Sequence, residues 1–179
     1  VEKMIEINDE PVATATWFSH LKVCERAAKF GITHLFSGLG GDELNAGEHE
    51  HFVPFFADLK VNNEKERLNR EVIKWSEHHS HALFPKNLAI MEESIDQMFN
   101  LNTPRRIFPD RKRITRYLGV LNPDFYKLND FEPVMEHPFN SFLKNRCYQD
   151  MTRETSPCCL RAQDRQGMAF GIQHVMPFF

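Results

Sequence analysis

Long apolar runs are missing from this 179-residue chain. A membrane-crossing helix needs about 18–20 consecutive apolar residues, and here charge breaks every apolar stretch within a few positions. No spanning segment is therefore expected. A surplus of one charge sign is missing too: 22 basic against 25 acidic residues leave a net charge of -3. That balance offers no general attraction for nucleic acid or anionic lipid. Cysteine is sparse, and Cys24, Cys147, Cys158 and Cys159 include no Cys-x-x-Cys pair of the kind that binds zinc. Adjacent Cys158 and Cys159 are a poor start for a disulfide framework, so reduced thiols in a cytoplasmic protein are expected. No charged run followed by a small-residue cleavage site is seen, so no signal peptide is expected, and the sequence has no internal repeat and no low-complexity segment.

What is present is a globular composition rich in Phe, with 16 copies. So many large apolar rings predict a well-packed piece with many buried faces. The chain opens on Val1 and closes on the apolar run Met176-Pro177-Phe178-Phe179. Such a terminus gives the expectation of a fragment of a larger folded unit.

Along the chain, Asp9-Glu10-Pro11 predicts a helix start, with carboxylates at the positive end of the helix dipole. Trp17, Leu21, Cys24 and Ala28 recur at helical spacing as one apolar stripe. Gly31 suits the left-handed C-cap. Ile32 to Phe36 reads as a short buried strand that runs into the Gly-dense turn Ser37–Glu43. Helix, strand and Gly-rich loop in succession is the grammar of an open α/β sheet, in which ligands sit beyond the carboxyl ends of strands. Beyond this the chain turns helical. Leu68, Val72, Trp75 and His79 mark a helix over residues 64–81, and Leu88, Met91, Ile95 and Met98 mark another. Residues 104–130 are rich in Pro and charge. Phe139, Leu143 and Cys147 mark a further helix, and Ser156-Pro157 is expected to cap a last one that runs towards Met168. The fold class expected is α/β, a partial open parallel sheet with a predominantly helical remainder.

The segment Ser37–Glu43 carries the most chemical information. Gly38, Gly40 and Gly41 let backbone N–H groups come close to an anion, as a phosphate cradle requires. Asp42 and Glu43 follow at once, and a hard oxygen ligand beside phosphate suits Mg²⁺ and a nucleotide. A tight turn with two solvated acids fits the same residues.

Phe36-Ser-Gly-Leu-Gly-Gly-Asp-Glu-Leu-Asn-Ala-Gly47 resembles the "S-G-x-G-G-D-E-x-x-x-G" segment of glutamine-hydrolysing asparagine synthetases. The later stretch Asp164-Arg-Gln-Gly-Met-Ala-Phe-Gly-Ile-Gln-His-Val-Met-Pro-Phe178 resembles that family's "D-R-x-S-M-A-x-S/G-x-E-x-R-x-P-F-L-D" segment. The resemblance implies an ATP-pyrophosphatase-type domain. It divides the chain into an α/β segment at 1–61, an insertion-like helical region at 62–154, and the later motif at 155–179. Family members adenylate the side-chain carboxylate of aspartate with Mg-ATP. Ammonia from glutamine, delivered by a separate N-terminal glutaminase domain, then displaces AMP.

Carried over by position, Ser37, Gly38, Gly40 and Gly41 lie against nucleotide and substrate, and Asp42 is a Mg²⁺ ligand. Glu43, Asp164 and Arg165 become supporting or structural groups. Read from the residues alone, Asp164, Arg165 and Met168 are an ion pair and a core Met that hold a helix. Several positions depart from the family pattern. Leu39 stands where an acid is usual, Gly167 where Ser is usual, Gln173 for Glu and Val175 for Arg. The pyrophosphate loop "S-G-G-x-D-S" does not occur in the chain.

Three other constellations have bland readings. His49 and His51 flank Glu50, and His78, His79 and His81 cluster. Neither group shows the helical i, i+4 pairing with a third ligand that a zinc site needs, so capping or solvated histidines are expected. Arg105, Arg106, Arg111, Lys112, Arg113 and Arg116, with Phe108 and Tyr117 among them, form a basic stretch that reads as a solvated face or an RNA contact. Cys158 and Cys159 read as two small buried hydrophobes. Three functions follow: an asparagine-forming amidoligase, a relative that closes a lactam or peptide macrocycle, or an inactive binding module.

Overall fold

The computed structural model describes residues 2–10, 14–78, 86–98, 122 and 135–179. It falls into two compact units, Val1–Gly47 with Asp150–Phe179, and Glu48–Gln149.

In the first unit, α1 (Glu2–Asn8) precedes α2 (Thr16–Lys29). Leu21, Cys24 and Ala27 form the buried face of α2. The inward stripe thus passes through Ala27 and leaves Trp17 half-buried. Helix α2 begins well past the Asp9-Glu10 pair, and Pro11 lies outside the described residues. Gly31 takes a φ of 73° just after the helix, and its N–H donates to the Ala28 carbonyl.

Strand β1 (His34–Phe36) follows. It pairs in parallel with β2 (Gln173–Val175), with Leu35 opposite His174. The fold is α/β, a small open parallel sheet in a mostly helical chain. The expected burial of β1 is only half met. Leu35 packs on the cluster of Cys24, Ala27 and Ile172, whereas Phe36 is 79% exposed. Alternation explains this, because successive side chains of a strand point to opposite faces and only Leu35 turns towards that cluster.

Between the strands in sequence comes α3 (Gly41–Asn45). Helix α8 (Thr155–Met168) leads into β2. It starts one residue before Ser156, with Glu154 at the cap position. Its buried face is Ser156, Ala162, Gln166 and Gly167. Met168 is 70% exposed, which corrects its reading as a core residue.

The second unit holds α4 (Phe52–Val61), α5 (Lys65–His78), α6 (Leu88–Met98) and the start of α7 (Phe142–Thr152). Phe56, Ala57, Leu59, Val72, Trp75, Met91, Ile95 and Phe142 form its core. The spacings that mark α5 and α6 in the sequence are thus largely the buried faces, although His79 and the side chain of Met98 fall outside the described residues. Phe usage meets its expectation in part. Phe56 and Phe142 are fully buried, but Phe18, Phe30, Phe36, Phe139, Phe178 and Phe179 are exposed.

Helix α7 turns a different face inward from the one its apolar spacing predicts. Phe142, Asn145 and Gln149 are buried, and Phe139 precedes the helix. The reason is polar. Asn145 accepts the Phe139 N–H through Oδ1 at 2.9 Å and donates to the Phe139 carbonyl at 2.9 Å. Gln149 donates to the Glu136 carbonyl at 3.1 Å. Both side chains thereby pair backbone groups of the loop that leads into the helix.

The N-terminus of α7 is capped from another helix. Asp58 of α4 accepts the Ser141 hydroxyl at 2.6 Å and the N–H groups of Phe142 and Leu143 at 2.8 and 3.1 Å. An anion at free helix N–H groups is favourable on both hydrogen-bond and dipole grounds. Asp58→Ala is expected to lower stability by about 1–3 kcal/mol, read as a shift in the urea midpoint of the intact protein. Asp58→Asn, which keeps one acceptor, should lose less.

Candidate functional site

The Gly-rich loop begins where β1 ends. Ser37 N–H donates to the Val175 carbonyl at 2.9 Å and extends the β1–β2 ladder by one bond. The loop then closes on itself. Leu39 N–H donates to Ser37 Oγ at 3.2 Å, Gly41 N–H to the Gly38 carbonyl at 3.1 Å, and Gly40 N–H to Glu43 Oε2 at 3.1 Å. Glu43 is 3% exposed, and reaching back to the residue that opens its own helix is what buries it. The phosphate-cradle expectation supposes free N–H groups. Here the donors of Leu39, Gly40 and Gly41 are spent inside the loop, so these three N–H groups are not free for a phosphate.

Gly40 is required by its backbone. Its φ is 92°, where side chains are strained, and a Cβ there would lie 2.6 Å from the Phe179 ring. Phe178 lies over Gly41 in the same way, at 3.6 Å from a notional Cβ. The structure therefore brings the two sequence motifs together: β2 and the aromatic pair that follows it meet the loop that follows β1. Gly40→Ala is expected to lower stability by about 1–3 kcal/mol, measured by thermal denaturation of the intact protein.

Asp42 is exposed, and its carboxylate makes no hydrogen bond or ion pair among the described residues. It lies against Gly47, where an added Cβ would come within 2.4 Å of Oδ1. Gly47 N–H donates to the Asp42 carbonyl at 2.8 Å. The residue is thus anchored through its backbone and open at its carboxylate. A carboxylate free of protein partners among the described residues, at the rim of the Gly-rich loop, is of the kind that suits Mg²⁺, which takes one or two carboxylates and completes its shell with other oxygens. Leu39 is half-buried beside it in sequence.

Residues of the later motif separate. Arg165 donates to the Asn8 carbonyl at the end of α1 and lies 3.6 Å from Asp9 Oδ2. Arg161 bridges to Glu10 at 2.8 Å. Arg165 therefore pairs with Asp9, and Asp164 is exposed on α8. The Asp9-Glu10 pair finds its use in anchoring α8.

Of the histidines weighed in the sequence, His51 is buried and its Nδ1 accepts the Glu48 N–H at 3.1 Å, a capping role. His79, His81 and the basic stretch Arg105–Arg116 lie outside the described residues. The sequence reading missed a different group. His20, Cys24 and His174 converge on one point beside the sheet. The signal was available as His20-x-x-x-Cys24, an i, i+4 pair on α2, but Cys24 read as part of the apolar stripe. Burial pushes the Cys24 thiol above its ordinary range. Burial also lowers the His174 imidazole, as does the neighbouring His20, against the opposing pull of Asp164.

With this geometry in place, comparison with known proteins gives one match. The sequence matches the asparagine synthase family over residues 1–179. The chain belongs to the asparagine synthase family. No curated protein and no solved structure matches it. Membership supports an ATP-dependent amidoligase type of function, with ATP as a substrate of the family's domain. Among the described residues no helix is long and apolar enough to cross a membrane.

Proposed function

We propose that this asparagine synthase domain forms asparagine in two steps: it adenylates the side-chain carboxylate of aspartate, then transfers ammonia derived from glutamine. In the first step a carboxylate oxygen attacks the α-phosphorus of ATP, and the bond to pyrophosphate breaks. In the second, ammonia attacks the acyl carbon, a proton leaves the nitrogen, and AMP departs with the electrons of the acyl–oxygen bond. On this reading the glutaminase domain and the pyrophosphate loop belong to the intact cytoplasmic protein.

The observation that carries the proposal is the meeting of the two motifs. Ser37 N–H on the Val175 carbonyl, and Phe178 and Phe179 over Gly41 and Gly40, set the loop at the carboxyl ends of two parallel strands. That is where open α/β sheets bind ligands. Asp42, free at its carboxylate, would hold Mg²⁺, which when bound neutralises charge on the departing pyrophosphate. Ser37 and Gly38 would lie against the adenylate, with Gly40 and Gly41 letting Phe179 and Phe178 pack on the loop and Glu43 holding its shape. Arg165 supports the site by fixing α8 to Asn8 and Asp9.

Exchange of labelled pyrophosphate into ATP by the intact protein tests the reading. Exchange that depends on aspartate is expected. Exchange driven by a different carboxylic acid and indifferent to aspartate would favour a relative with another acceptor, which Leu39 makes the specific second reading. Absence of exchange with any acid would favour an inactive binding module.

A further inference from the structure

The group formed by His20, Cys24 and His174 takes no part in the proposed chemistry, and it brings three metal-ligand donor atoms within 4.8 Å of one another. His20 and Cys24 lie one helical turn apart on α2, so both side chains leave the same face. His174 reaches them from the centre of β2. The two Nε2 atoms are 3.1 Å apart. Cys24 Sγ lies 3.9 Å from both ring nitrogens of His20 and 4.0 Å from His174 Nε2. A tetrahedral Zn²⁺ with its usual bond lengths separates two nitrogen ligands by about 3.3 Å, and a nitrogen from a sulfur by about 3.6 Å. Each observed separation falls within a few tenths of an ångström of these values.

Three further observations support a ligand. First, Gln166, fully buried on α8, accepts from His20 Nδ1 at 2.7 Å. That bond puts the proton on Nδ1 and turns the Nε2 lone pair towards the cluster, as outer partners of metal-bound histidine do. Second, with the His20 proton on Nδ1, the two facing Nε2 atoms, 3.1 Å apart, share a single proton, and a cation would take both lone pairs and leave each ring its proton on Nδ1. Third, room for the His174 ring comes from Gly167, where a Cβ would stand 2.6 Å from Nδ1 and 2.7 Å from the Ile172 carbonyl. Gly167 is a departure from the family pattern, and it makes space for His174.

We propose that His20 Nε2, Cys24 Sγ and His174 Nε2 bind one Zn²⁺, with Gln166 orienting His20 and the fourth tetrahedral position left to water. The thiol gives up its proton to solvent on binding, so the ligand set is two neutral imidazoles and one thiolate. Cys24 is fully buried and both histidines are half-buried, so the cation is reached from the histidine side. Such an ion would tie α2 to β2. Because β2 supplies the Val175 carbonyl that receives Ser37 N–H, it would steady the strand pair beneath the Gly-rich loop.

Cobalt titration of the metal-stripped intact protein tests this. One Co²⁺ per chain should bind with visible ligand-field bands of a tetrahedral site and a near-ultraviolet thiolate charge-transfer band, and Zn²⁺ should displace it. Cys24→Ser should remove the thiolate band. Gln166→Leu should weaken Co²⁺ about 10–100-fold, and His174→Gln at least as much. Cys158→Ser should change nothing, since that thiol is exposed elsewhere on α8. Far-ultraviolet circular dichroism identifies any variant that has lost its fold, and the spectrum of the unaltered protein is decisive even without variants. No Co²⁺ uptake, a spectrum without a thiolate band, or a thiolate band that survives in folded Cys24→Ser would overturn the proposal and leave a buried thiol beside a hydrogen-bonded histidine pair. These outcomes are independent of whether the protein adenylates aspartate.

Discussion

Asp42→Asn in the intact protein is expected to slow aspartate-dependent pyrophosphate exchange by about 100–1000-fold, the usual loss when one electrostatic stabiliser of a transition state is removed. The substitution keeps the size of the side chain. It also keeps the backbone bond from Gly47 N–H to the Asp42 carbonyl, so the turn should survive. What changes is the charge on an exposed group that has no protein partner among the described residues. A structural role would leave rate intact and lower stability, whereas the proposed role lowers rate and leaves stability intact. Thermal denaturation beside the exchange assay separates the two, and near-normal exchange would make Asp42 a turn residue only.

Leu39 leads to the second large effect. Adenylation in this account draws on phosphate and Mg²⁺ contacts around Ser37, Gly38 and Asp42, none of which needs a base at position 39. Amide formation must remove a proton from the attacking nitrogen, and general-base assistance is worth about 100–10,000-fold. Leu39 accepts no proton. The unmodified protein should therefore exchange pyrophosphate readily and form asparagine slowly. Leu39→Glu should speed asparagine formation towards that range with little change in exchange. The loop can carry the change, because Leu39 is held through its N–H to Ser37 Oγ, a bond any residue but Pro can make. Fast asparagine formation by the unmodified protein, slowed by Leu39→Glu, would instead make Leu39 a shaper of the acceptor pocket.

How much of this was legible in the sequence depends on the kind of interaction. The strand, the Gly-rich turn and the helices α2, α5 and α6 follow from local signals: Gly31 past a helix, apolar spacing, and glycines after a short β-branched and aromatic run. Two motifs in order showed the family, and their meeting in space is what that order implies. Misreadings arose where polar groups decide burial. Helix α7 buries Asn145 and Gln149 because loop backbone needs their amides, and no hydrophobic period records that need. Helix α8 buries Ser156, Gln166 and Gly167, so Met168 in its last turn is left exposed. The ion pair assigned within Asp164-Arg165 is made with Asp9, and Cys24 was one feature with two readings. Its partner His174 is distant in sequence, and only the pairing of β1 with β2 brings the two together.

The central claim, an acyl-adenylate on the aspartate side chain, has a direct test. Aspartate carrying heavy oxygen in its side-chain carboxylate, turned over with ATP and glutamine by the intact protein, should pass one labelled oxygen into AMP. The oxygen that attacks phosphorus stays with AMP when ammonia takes its place on carbon. Label found in pyrophosphate or in inorganic phosphate, or AMP formed without label, would contradict the account.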